Sequence, residues 1–153
     1  HAYAWQSLGY AGGGTVKGRH YSRVQCYEQA LKLDPKQASA WNSLGTVGGV
    51  TVDGRFYSKV QCYEQALKLD PKDAHAWQSL GYVGGGTVKG RHYSRVQCYE
   101  QALKLDPTLP STRKSLGTVG GVTLNGRFYS KVQCYEQVLK LYPKVPHPWQ
   151  SLG

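Results

Sequence analysis

Three kinds of residue in this chain have chemistry to offer, and each returns at intervals of 36 positions. Cys26, Cys62, Cys98 and Cys134 are the thiols. One stacked repeat apart, such positions stand about 9–10 Å from one another, the spacing of packed helices. A disulfide needs Cα atoms closer than about 7 Å, so these cysteines read as small buried hydrophobes. No Cys-x-x-Cys spacing is present, and the sequence implies no metal. The glycine-rich Gly13-Gly14-Thr15-Val16-Lys17-Gly18 invites a phosphate cradle. It lacks both the Gly-Lys-Ser/Thr ending of a P-loop and the dinucleotide spacing, so no nucleotide or other cofactor is expected. His20 and His92 alternate with Phe56 and Phe128 in one slot, which therefore needs a ring rather than a base. Glu28, Glu64, Glu100 and Glu136 recur singly, as solvated or ion-paired side chains would. No nucleophile stands beside a base within a unit, so catalysis is not expected.

The third kind is cationic. Arg19, Arg55, Arg91 and Arg127 follow a loop glycine, and Arg23, Lys59, Arg95 and Lys131 stand at a predicted helix start. With a formal net charge of +10, stacking would line them into a basic stripe for an anionic partner. Cations at a helix N-terminus cost a few tenths of a kcal/mol, because that end is already positive. Thr15, Thr51, Thr87 and Thr123 occupy the exposed loop and are candidate O-glycosylation positions, although local backbone bonding explains them equally.

The elements that position these residues are repeats. Trp5, Trp41 and Trp77 stand 36 residues apart, Arg113 takes the same slot, and Trp149 restores it. Leu8-Gly9 returns as Leu44-Gly45, Leu80-Gly81, Leu116-Gly117 and Leu152-Gly153. A period of 20–50 residues denotes an array in which each unit shelters its apolar face on its neighbours. Residues 4–35 and 76–107 differ only where Ala11 becomes Val83, so two unit types alternate. The predicted fold is an all-α, right-handed α-solenoid over 1–153. Its units are 4–39, 40–75, 76–111 and 112–147, with a fifth beginning at 148–153.

Within a unit, Ser22 and Gln25 form a capping box and open a helix that Pro35 ends. Tyr21 and Cys26 stand at hydrophobic-staple positions. Val24, Tyr27 and Leu31 make one apolar stripe, and Cys26, Ala30 and Leu33 a second. Asp34-Pro35 is expected to open a shorter helix bearing Ala40, Trp41, Leu44 and Gly45, which runs into a glycine-rich connection. No apolar run reaches the roughly 18 residues of a membrane span, so the chain is expected to be soluble. Neither end shows a polar capping unit, which points to further repeats or to ends that stack on other molecules.

Trp5-x-x-Leu8-Gly9, Tyr27 and Ala30-Leu31-Lys32-Leu33-Asp34-Pro35 resemble the tetratricopeptide repeat, over essentially the whole chain. The family unit has 34 residues, and here two more sit in the glycine-rich loop. The family's aromatic after the Leu-Gly is replaced by Gly12, Gly48, Gly84 and Gly120, and its small residue before Tyr27 by Arg23 or Lys59. The paired helices must therefore close differently here.

The expected function is a non-catalytic structural protein that stacks end to end into an extended array or filament. The stacking and core positions are Trp5, Leu8, Tyr27, Leu31, Trp41, Leu44, Tyr63, Leu67, Trp77, Leu80, Tyr99, Leu103, Leu116, Tyr135, Leu139 and Trp149. The resemblance implies a second reading, a scaffold that grips an acidic peptide in a basic groove. A third is a polyanion- or RNA-binding solenoid, which the near-uniform units disfavour for base-by-base reading. Expected partners are thus other copies of the chain or a protein segment.

Overall fold

In the computed structural model the described residues are 1–124 and 126–141. Each repeat is a helix, a two-stranded antiparallel hairpin and a second helix. The first runs α1 (Ala2–Tyr10), β1 (Gly13–Val16), β2 (Arg19–Ser22) and α2 (Arg23–Leu33). The second runs α3 (Ala38–Val47), β3 (Val50–Val52), β4 (Arg55–Tyr57) and α4 (Lys59–Leu69). The third has α5 (Ala74–Tyr82), β5 (Gly85–Val88), β6 (Arg91–Ser94) and α6 (Arg95–Leu105). The fourth has α7 (Pro110–Thr118), β7 (Gly121–Leu124), β8 (Arg127–Ser130) and α8 (Lys131–Leu141). The chain divides into two compact units, one of residues 1–72 with 86–91, the other of 73–85 with 92–153. No helix among the described residues is long and apolar enough to cross a membrane.

The hairpins correct the all-α expectation. Their cause is local: Lys17-Gly18 and Asp53-Gly54 both hold positive φ at each residue, as a two-residue type I′ turn demands. Strand register follows directly, with Val16 opposite Arg19 and Gly13 opposite Ser22 in the first hairpin, and Val52 opposite Arg55 in the second. The helical part of the expectation holds. Ser22 accepts from the Gln25 backbone while the Gln25 side chain accepts from Ser22, and Ser58 with Gln61 repeats the box. Asp34-Pro35, however, does not open the next helix. Asp34 closes α2, and α3 begins at Ala38 after Gln37. Leu33 is the other departure: it is 56% exposed, so α2 buries Cys26, Tyr27, Ala30 and Leu31 but not the end of its second stripe.

The two helices of a repeat close on a glycine. A Cβ at Gly9 would overlap the Tyr27 ring, and Gly45 meets Tyr63 in the same way. The contact the family makes with an aromatic on the first helix and a small residue on the second is thus reversed in polarity.

Candidate functional site

The surface that recurs in every repeat is the one it offers to its neighbour. In the first compact unit, α2 packs on α3 and β3, and in the second unit α6 packs on α7 and β7. Ala40, Trp41 and Leu44 are 0, 5 and 0% exposed beneath this contact. The Trp41 indole Nε1–H donates to the carbonyl of Pro35, just past the end of α2, at 3.0 Å. Where the tryptophan slot holds Arg113, its Nε–H donates to the carbonyl of Pro107 at 3.2 Å. The slot therefore keeps its hydrogen bond when its ring is lost. The Tyr27 hydroxyl hydrogen-bonds Ser43 across the repeat boundary, and Tyr99 does the same with Ser115. Burial pushes both phenols above their ordinary value. Between α1 and α3, Gln37 Nε2 donates to Gln6 Oε1 and Ser43 Oγ donates to the Tyr10 hydroxyl at 3.2 Å.

A second contact crosses the boundary at the hairpins. The Thr87 backbone N–H donates to the Glu64 carboxylate at 2.5 Å, and that of Thr123 donates to Glu100. In the first repeat the corresponding residues line an open cleft of about 220 Å³ made by Glu28, Gln29, Lys32, Thr51, Val52 and Asp53. The glutamates are therefore clasps on the next hairpin rather than solvated or ion-paired chains. Burial pushes the Glu28 and Glu100 carboxyls up, and for Glu100 the Lys104 ammonium and the Thr123 N–H oppose that. The sequence carries no mark of this clasp, because its donor is a backbone amide.

Most stacking positions are buried. Tyr27, Leu31, Tyr63, Leu67, Trp77, Leu80, Tyr99, Leu103, Leu116 and Tyr135 are all 3% exposed or less. Leu139, Trp5 and Leu8 are half-buried, and Trp149 lies outside the described residues, as does the start of the fifth unit. The thiols of Cys26, Cys62, Cys98 and Cys134 are free and buried, and burial pushes the Cys62 thiol up to about 11.

The cations lie on the hairpins. Arg19, Arg55 and Arg127 hold their guanidinium groups 4.8–5.0 Å from the ring centres of Tyr21, Tyr57 and Tyr129. Tyr21 and Tyr57 in turn meet Trp5 and Trp41 edge-on at 4.7 and 4.8 Å. These arginines, with Arg91, Arg23 and Arg95, are exposed, while Lys59 and Lys131 are half-buried. Thr15, Thr51, Thr87 and Thr123 are exposed. Phe56 and Phe128 are 63 and 61% exposed, on the strand face opposite the arginines, as the two-residue alternation of a strand requires.

No curated protein matches the chain. Residues 16–37 and 88–109 each match the family model described as Tetratricopeptide repeat. Both stretches start at the end of a first hairpin strand and run through the capped helix to the turn after its Asp-Pro. A match at two equivalent repeats, on a chain of helical pairs at a fixed period, identifies the chain as a member of the tetratricopeptide-repeat family.

Proposed function

We propose that the chain is a non-catalytic structural scaffold that extends by stacking repeat on repeat, end to end, into an array. The observation that carries the reading is the same contact in each compact unit: α2 on α3 and β3, α6 on α7 and β7. Such an interface is heterologous, since one face of a repeat fits the opposite face of the next. Unless its rotation closes a ring, it adds units without limit. Apolar burial of the Trp41 and Leu44 kind supplies the driving force, about 1.5–3 kcal/mol per large side chain. Light scattering on the purified chain tests this. Its mass is expected to climb above 16.9 kDa as concentration rises, and a constant single-chain mass across the range would refute it.

A second reading rests on the arginine stacks. A guanidinium held by its face against a tyrosine keeps its in-plane N–H donors free for a carboxylate, which suits an acidic protein segment. Binding of an acidic peptide that weakens with salt and is lost in an Arg19→Glu, Arg55→Glu double variant would favour it.

A further inference from the structure

The face that α3 buries is open on α1. Ala40, Trp41 and Leu44 are 0, 5 and 0% exposed with α2 lying on α3. Their equivalents Ala4, Trp5 and Leu8 are exposed, half-buried and half-buried. With His1 and Val16 they line an apolar groove of about 310 Å³. We propose that this groove takes the C-terminal end of an amphipathic helix of the α2 kind, Ala-Leu-Lys-Leu-Asp-Pro, supplied by a second polypeptide. This rests on the stacking reading above and names what the stacking face recognises.

Two features beyond the apolar floor select that occupant. The first is a hydrogen bond: Trp41 donates to the carbonyl of Pro35, and Arg113, though a different residue, donates to that of Pro107. The slot thus calls for an N–H aimed at the carbonyl that follows a proline-terminated helix. Trp5 carries the same indole N–H, its ring held edge-on to Tyr21, and no acceptor for it is present among the described residues. The second is the hairpin clasp. Glu64 and Glu100 accept the backbone N–H of Thr87 and Thr123, and an α2-type helix brings its glutamate to Thr15 in the same way. A generic apolar helix would fill the groove yet satisfy neither group.

The test is a titration of the isotope-labelled full chain with a reduced synthetic peptide of residues Ser22–Lys36, following the Trp5 indole resonance. A saturable shift is expected. Ala4→Arg, which fills the groove from an exposed helix position, should weaken binding at least tenfold. Trp5→Phe in the chain, or a peptide ending at Leu33, should each weaken it severalfold by removing one side of the hydrogen bond. Circular dichroism of both variants confirms that they fold. No saturable shift at millimolar peptide, undiminished binding to Ala4→Arg, or equal binding of the shortened peptide would overturn the proposal. The two readings fail separately. Concentration-dependent growth without peptide binding removes the groove assignment and leaves stacking, whereas peptide binding by a chain of constant mass does the reverse.

Discussion

Gly45 lies where α3 crosses α4, and a methyl group on its Cα would run into the Tyr63 ring. Neither helix can retreat without opening the contact, so Gly45→Ala should cost about 2–3 kcal/mol, as overpacking of a tight core does. Urea unfolding checks this, and an unchanged midpoint would show that the helices do not close on this glycine. The Leu-Gly pair was visible in the sequence through its period, but its partner was not: no spacing rule says that Tyr63 will face Gly45. At the same scale, burial holds the Cys62 thiol near 11. A disulfide reagent at pH 8 should therefore label it only as fast as the protein opens, and denaturant should release full reactivity.

At the scale of elements, the capped helices were legible and the hairpins were not. Ser22 with Gln25 is a signature a helix start writes in its own residues, and the structure shows that box in place. The hairpin had its signature too, since Asp53-Gly54 sits between alternating strand-like residues. The flanking glycines masked it, because Gly48 and Gly49 read as a loop while their positive φ values turn the chain into β3. Gly54 also holds positive φ, at +76°. A β-branched side chain is strained there, so Gly54→Val should destabilise the protein by about 1–2 kcal/mol, read as a lower melting temperature. The glutamate clasps make a separate prediction. Burial raises the folded-state pKa of Glu28, so its contribution to stability is present while the carboxyl is protonated and is lost as pH rises through the raised value, above 4.5. Glu28→Gln should flatten that decline in pH-dependent unfolding, and a variant with the same slope as the parent would rule the clasp out as its cause.

For the whole molecule, the 36-residue period supplied the architecture, and the family match at residues 16–37 and 88–109 agrees with it. What the period could not supply is how repeats recognise one another. That depends on Trp41 reaching Pro35 and Tyr27 reaching Ser43, pairs set by three-dimensional approach rather than by spacing. Leu44 lies fully buried in this contact, and Leu44→Ala should cost about 2–5 kcal/mol in equilibrium unfolding. The most direct test of the account is sedimentation equilibrium of the parent chain beside Ala4→Arg, a change confined to the open groove. The account predicts that the parent's average mass rises with concentration while the variant stays at one chain. Equal masses for the two, at every concentration, would contradict it.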